Sequence, residues 1–307
     1  LTIGNNRLAL IDAKNGNQPI FSSDKRYVIV YNGCIYNFNE IKDYLLSKNI
    51  KFFTNCDTEV IVNSFMYFGT KCFNYFDGMW SMAIYDTKEK KCFLSRDYIG
   101  QKPLYYSLQK DYLIFSSQLE GILVDKNISK EINNLSVKKF FSYSHIPAPQ
   151  TLYKNIFQVE PGHYIEINAN NFSVQKKIYW DLLNGPDNNL FFKNDINDKN
   201  FVKSFDKIID NHFIADNKPV ISLSGGIDSQ IILKSLIKKH NLTTCTIGFE
   251  NKSFDESKFV EEDRQNYNKK IYNQNKDEIF EHFNNLIKII KEPIGDSSIL
   301  PSYILFN

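Results

Sequence analysis

Residues 219–230 read Pro219-Val-Ile-Ser-Leu-Ser-Gly-Gly-Ile-Asp-Ser-Gln230. Val220 to Leu223 is a short apolar, β-branched run of the kind that forms a buried strand. Ser224-Gly225-Gly226 breaks it, and Ile227, Ile231, Ile232, Leu236 and Ile237 then recur at helical spacing, ahead of Lys238, Lys239 and His240. The unit is strand, glycine loop, helix. Such a junction aims backbone N–H groups and the positive end of a helix dipole at one spot, and two glycines let an anion approach the backbone. The expected ligand is a phosphate or pyrophosphate.

The loop also excludes a ligand mode. A Walker A loop carries Lys directly after its last Gly, to reach the β- and γ-phosphates. Here Ile227 and Asp228 follow. A carboxylate beside phosphates is tolerable when it holds Mg²⁺ or the loop backbone. The run S-G-G-x-D-S resembles the ATP pyrophosphatase loop, which grips the β/γ-pyrophosphate while chemistry occurs at the α-phosphorus.

Working outward, 307 residues suggest two domains, and 42% hydrophobic and 15% aromatic content suffice for real cores. A net charge of +2 gives no electrostatic case for nucleic acid or a membrane surface. Cys34, Cys56, Cys72, Cys92 and Cys245 form no C-x-x-C pair, which favours reduced thiols in a cytoplasmic protein over disulfides or zinc. No apolar run reaches membrane length.

Upstream, the chain is β-rich. Leu8–Ile11 reads as a short strand ending at Asp12, and Tyr27–Tyr31 as a stronger one, broken by an Asn32-Gly33 turn signal and resuming at Ile35. Asn37–Asn49 and Asp57–Phe68 read as helices, the second with Asp57 as N-cap and Gly69 as its end. Met79–Tyr85 with Lys91–Ser95, and Leu104–Ser107 with Tyr112–Ser116, read as strand pairs. Packed antiparallel sheets with flanking helices are expected. Residues 184–200 read as a turn-rich linker, and 201–307 as a parallel α/β unit with helices at Phe201–His212, Phe254–Tyr267 and Asp277–Ile290 and a strand at Leu242–Ile247.

The first half resembles the glutaminase domain of class II, N-terminal-nucleophile amidotransferases. The residues that carry this are Arg7-Leu8, Asp12, Gln18-Pro19, Asn32-Gly33-Cys34-Ile35-Tyr36-Asn37, Asp57-Thr58-Glu59, Phe76-Asp77-Gly78-Met79, Arg96-Asp97 and 100–106, Gly-Gln-Lys-Pro-Leu-Tyr-Tyr. Joined to the pyrophosphatase loop, with Thr246-Ile-Gly-Phe249 and Glu292-Pro-Ile-Gly-Asp296 beyond it, the chain resembles the glutamine-hydrolysing asparagine synthetases of the bacterial B type. The resemblance implies an αββα sandwich over residues 1–183, then an adenine-nucleotide α-hydrolase-like α/β domain. It implies an N-terminal Cys that attacks the glutamine amide, ammonia passed to the second domain, and ATP with Mg²⁺ turning aspartate into an acyl-adenylate that ammonia converts to asparagine. The implied partners are glutamine, aspartate and ATP, without nucleic acid or membrane; a homodimer is the assembly it allows.

By the same resemblance, Arg7 holds the glutamine α-carboxylate and the backbone from Leu8 through Ala9 and Leu10 to Ile11 lines the pocket. Asn32 and Gly33 form the oxyanion hole, and Asp57 holds the substrate ammonium. Ser224, Gly225, Gly226 and Ser229 cradle pyrophosphate, Asp228 binds magnesium, and Leu223 and Ile247 give backbone contacts to adenine. Glu292, Asp296 and Ser297 fall in the acceptor segment.

Three departures stand out. The chain opens on Leu1, which has no nucleophilic atom, and it stops at Asn307 before the family's second acidic loop, so it reads as an internal fragment that is inactive alone. Cys34 stands where the family carries Glu, which leaves the substrate ammonium to Asp57 and suggests a packing thiol. Alternatives remain: the same mechanism on another carboxylate, such as a surface-polysaccharide sugar acid, or a non-catalytic remnant that still binds glutamine or ATP.

Overall fold

A computed structural model of the protein describes residues 1–183, 200–213, 215–216, 218–253, 255–260 and 267–306. The chain divides into two compact units, Leu1–Asn194 and Asp195–Asn307. The linker expected over 184–200 lies outside the described residues except for Asn200.

The first unit runs β1 (Ile20–Phe21), β2 (Tyr27–Ile35), α1 (Phe38–Ser47), α2 (Asp57–Phe68), a 3₁₀ segment (Gly69–Tyr75), β3 (Gly78–Asp86), β4 (Lys91–Arg96), β5 (Tyr105–Leu108), β6 (Leu113–Ser116), α3 (Leu119–Leu123), α4 (Asn134–Tyr143), β7 (Phe157–Gln158), β8 (His163–Asn168) and β9 (Val174–Ile178). One sheet has the order β1-β2-β3-β4-β8-β9 and the other β6-β5-β7, and all pairs are antiparallel.

Alternation along the strands explains the layering. Val30, Ala83, Cys92, Leu94, Ile165 and Ile167 share one face of the large sheet and pack against Leu104, Val159, Tyr106 and Phe115. The intervening residues face helices: Phe65 of α2 sits 5.2 Å from Tyr27 and 4.9 Å from Phe93, ring to ring. Beyond the small sheet, Leu119 and Ile122 of α3 pack on Tyr105 and Ile156. The order is helix, sheet, sheet, helix, the αββα sandwich. Trp80, Phe73 and Phe76 are fully buried, each worth about 2–3 kcal/mol in apolar area alone.

Three local expectations fail. Leu8–Ile11 is not a strand: residues 1–10 have no regular secondary structure, and the Arg7 guanidinium folds back onto the carbonyls of Ile11 and Asp12. Asn32-Gly33 is not a turn. β2 runs through it without a break, with Asn32 opposite Ser81 and Gly33 opposite Trp80. The partner strand decides this: a Cβ at Gly33 would lie 2.1 Å from the Met79 carbonyl oxygen, so the glycine serves close approach of two backbones. Asp57 does not cap α2; Cys56 holds the N-cap position and the Asp57 side chain turns inward.

The second unit contains α5 (Phe201–His212), β10 (Val220–Ser222), α6 (Ile227–Leu236), β11 (Leu242–Phe249), β12 (Tyr267–Gln274), α7 (Lys276–Ile289) and α8 (Ile299–Phe306). Its sheet, β10-β11-β12, is parallel throughout. Ile221, Leu223, Leu233, Leu236 and Leu242 centre the core, with Val260 and Tyr267 beside them. α7 opens on a capping box in which Asn275 accepts from Glu278 N–H and the Glu278 carboxylate accepts from Asn275 N–H. Of the helix expected over Phe254–Tyr267, the described residues hold only a 3₁₀ turn at Ser257–Phe259, and Tyr267 opens a strand; residues 254 and 261–266 lie outside them. β12 went unforeseen because its residues are mostly exposed and polar and carry no alternation.

Candidate functional site

In the first unit, a cavity of about 80 Å³ is lined by Arg7, Leu8, Leu10 and Ile11 from the irregular N-terminal segment, Asn32, Gly33 and Cys34 from β2, and Asp57 from the start of α2. The expected glutamine-pocket residues therefore converge, except Ala9, which does not line it. Asn5, Asn6, Gln18, Tyr31, Thr58, Met79 and Lys102 complete the wall.

Asp57 is the electrostatic centre. It is buried, and its Oδ2 accepts from the Tyr31 hydroxyl at 3.0 Å and from Ile35 N–H at 3.3 Å. Burial pushes its pKa above the ordinary carboxylate value, although these donors oppose the shift. The Tyr31 hydroxyl is in turn pushed well up, first by burial and then by Asp57. Gln18 braces the same corner, its Oε1 accepting from Tyr31 N–H at 2.6 Å and from the Asn5 amide at 2.9 Å.

Cys34 is buried, and its thiol is pushed up to about 12, by burial first and by the Asp57 charge second; Lys102 opposes. A thiol so raised is neutral near pH 7 and a poor nucleophile. It is the packing residue the sequence suggested. All five cysteines are unpaired, and all but Cys245 are buried.

Arg7 is not idle. Its guanidinium donates to the carbonyls of Ile11 and Asp12 and lies 3.8 Å from Cys56 Sγ. Lys102 reaches the cavity from a loop anchored by Asp97, which accepts the N–H groups of Trp80, Gln101 and Lys102 at 3.1, 2.8 and 3.0 Å. No local pattern marks Tyr31 as a cavity residue, and Lys102 falls in the 100–106 run without being singled out there; what brings both to the cavity is the pairing of distant segments.

The second unit places the S-G-G-I-D-S loop at the carboxyl end of β10, beside that of β11. Leu223 N–H donates to Cys245 C=O at 2.9 Å, and its own carbonyl accepts from the buried Thr246 hydroxyl at 2.8 Å. Leu223 and Ile247 thus sit near adjacent strand ends. The loop is self-bonded through Ser229, whose Oγ accepts from Ser224 N–H at 3.2 Å and lies 3.1 Å from the carbonyl oxygens of Ser224 and Gly226. Gly226 N–H turns to Ser224 Oγ at 3.2 Å, and Gly225 N–H to the Glu256 carboxylate at 3.2 Å. Gly226 is the N-cap of α6 without a side-chain cap, so the first N–H groups of that helix point outward from its positive end.

Asp228 lies exposed in the first turn. Among the described residues no group of three or more His, Cys, Asp or Glu could hold a metal ion. A single carboxylate oxygen donor beside a phosphate site still suits Mg²⁺, which takes one or two carboxylates plus phosphate oxygens. Glu292, Asp296 and Ser297, expected to lie near the acceptor, fall between α7 and α8, and Asp296 accepts from the N–H and hydroxyl of Ser298, both at 2.8 Å.

The chain belongs to the glutamine amidotransferases: residues 1–180 match the family described as glutamine amidotransferase domain. Residues 200–307 match the asparagine synthase family, and this pairing makes the chain similar to the glutamine-hydrolysing asparagine synthetases. A Methanocaldococcus jannaschii protein provisionally named asparagine synthetase [glutamine-hydrolyzing] 2 is 32% identical over 98% of this chain and 61% of its own length. Asparagine synthetase [glutamine-hydrolyzing] 1 of Bacillus subtilis is 30% identical over 98% of this chain and 48% of its own. The chain therefore spans about half to three-fifths the length of these relatives. No described helix is long and apolar enough to cross a membrane.

Proposed function

We propose that this chain carries the glutaminase half and the nucleotide loop of an enzyme that amidates L-aspartate to L-asparagine at the expense of ATP and glutamine. The observation that carries the reading is the joint presence of a polar cavity around Asp57, Asn32 and Gly33 in one unit and a lysine-free glycine loop at parallel strand ends in the other. The soluble cytoplasmic setting and the division into domains at 1–183 and 201–307 belong to the same reading.

In the first site, glutamine binds with its ammonium toward the Asp57 carboxylate and its carboxylate toward Arg7. Asn32 and the Gly33 N–H face the oxygen that becomes negative when the amide carbon is attacked.

In the second site, the outward N–H groups at the start of α6 receive the β- and γ-phosphates, with the loop backbone beside them. Leu223 and Ile247 offer backbone groups to adenine. The acceptor carboxylate attacks the α-phosphorus, the bond to the β-phosphate oxygen breaks, and pyrophosphate leaves into the loop. Ammonia then attacks the acyl carbon and AMP departs. Bound Mg²⁺ would neutralise charge on the leaving pyrophosphate, and Asp228 is the residue that would hold it.

The test is ATP–pyrophosphate exchange by the full-length protein with a panel of carboxylate acceptors. Exchange that depends on aspartate alone supports this reading. Exchange with a sugar acid instead moves the acceptor and keeps the mechanism. Absence of exchange with every acceptor overturns it.

A further inference from the structure

The Glu256 carboxylate stands where the nucleotide loop should meet an anion. The loop presents three N–H groups before α6. Two are satisfied within the loop, Ser224 by Ser229 Oγ and Gly226 by Ser224 Oγ. Only Gly225 reaches beyond it, to Glu256 Oε2 at 3.2 Å. Gly225 is the first of the two glycines of the run, a position where a missing side chain opens the backbone to a ligand. Glu256 reaches it from the segment that follows β11, just before the 3₁₀ turn at Ser257–Phe259. Two adjacent parallel strands thus each send out a segment, and the two segments meet through a carboxylate oxygen on a backbone donor.

A carboxylate and a phosphate oxygen are interchangeable acceptors for such a donor, and both are drawn to the positive end of α6. They cannot share it, because like charges that close repel. Resting on the reading of this loop as a pyrophosphate cradle, we propose that Glu256 is an affinity- and specificity-setting residue that an incoming polyphosphate must displace from Gly225 N–H. A singly bridging anion such as inorganic phosphate brings little beyond what Glu256 already supplies. A pyrophosphate group also engages the outward N–H groups of α6 and displaces it. The site is thereby closed to common small anions and open to a nucleotide.

The contact is solvent-exposed, so substitution leaves the core untouched. The experiment titrates inorganic pyrophosphate and inorganic phosphate, without Mg²⁺, into the full chain and its Glu256→Gln and Glu256→Ala variants by calorimetry. Circular dichroism verifies that each variant is folded. The wild-type chain is expected to bind pyrophosphate and not phosphate. Both variants are expected to bind pyrophosphate about fivefold tighter or more, and to acquire measurable phosphate binding, because one like-charge contact is removed. Unchanged or weaker pyrophosphate binding by both variants overturns the proposal and leaves the cradle reading standing. Weaker binding would instead mark Glu256 as a residue that assists the ligand. Failure of the wild type and both variants to bind pyrophosphate overturns the cradle reading, and this proposal with it.

Discussion

Asp57 shows how a buried carboxylate proposed to bind substrate trades against stability. Its pKa is raised by burial, so the folded chain holds its proton more tightly than the unfolded chain does. Stability therefore falls as the pH rises through and above the ordinary carboxylate value of about 4. Asp57→Asn keeps an oxygen for the Tyr31 hydroxyl and Ile35 N–H and removes the buried charge. At pH 7 its thermal midpoint is expected to equal or exceed that of the wild type, while the glutamine dissociation constant rises about tenfold or more. Calorimetry with glutamine and a thermal melt read the two effects separately. In the wild type, glutamine binding is expected to weaken on acidification at a higher pH than an exposed aspartate would give. Gly33 is the opposite case, where a side chain has no room. Gly33→Ala drives a Cβ against the Met79 carbonyl oxygen, which is backbone and cannot swing aside. A loss of about 3 kcal/mol in urea unfolding is expected. Of these two residues, the sequence marked Asp57 as a candidate through its place in the Asp-Thr-Glu run, but not its inward turn. Gly33 was misread as a turn because dipeptide chemistry does not register a neighbouring strand.

At the scale of elements, α2 and α5 were legible to the residue, since each has an apolar stripe of helical period. β12 was not, because register with β11 rather than its own pattern holds it in the sheet. The hairpin of β3 and β4 was also legible, and its turn is fixed by Asp86. This carboxylate accepts a forked pair from Arg26, with 3.0 Å from Nε to Oδ1 and 2.6 Å from Nη2 to Oδ2, and also the N–H groups of Lys88 and Glu89. Burial pushes Asp86 upward, but Arg26 and the turn N–H groups outweigh it and hold the carboxyl below its ordinary value. The lowered pKa makes Asp86 stabilising above the ordinary carboxylate value, a contribution lost as the pH falls through the folded one. Asp86→Asn is expected to cost about 1–2 kcal/mol at pH 7, discounted because Arg26 is one-third exposed. The difference from the wild type should shrink steadily below about pH 4, as denaturant melts at several pH values would record.

Across the whole molecule, the two units differ in how well they bury their apolar surface. The first closes a four-layer sandwich around Trp80 and Phe73. The second relies on a three-stranded sheet and leaves Phe201, Val202, Phe280, Phe283, Ile287 and Ile289 exposed. It should unfold first. Both tryptophans, Trp80 and Trp180, belong to the first unit, whereas α5 to α8 contribute to the far-ultraviolet signal. Helical ellipticity is therefore expected to fall at lower urea than tryptophan emission shifts, and coincident transitions would contradict it. The sequence showed both units and their order, since strand rhythm changes from hairpins to alternation with helices. It could not show how completely each encloses its core. One arrangement of thiols has a practical consequence. Cys34, Cys56, Cys72 and Cys92 are sealed in the first unit, while Cys245 on β11 is half-buried and lies opposite Ser222, two residues before the glycine loop. The unmodified chain thus offers a single native attachment point for a maleimide dye or a fluorinated tag. A spectroscopic reporter can be placed beside the loop without engineering a cysteine or removing one.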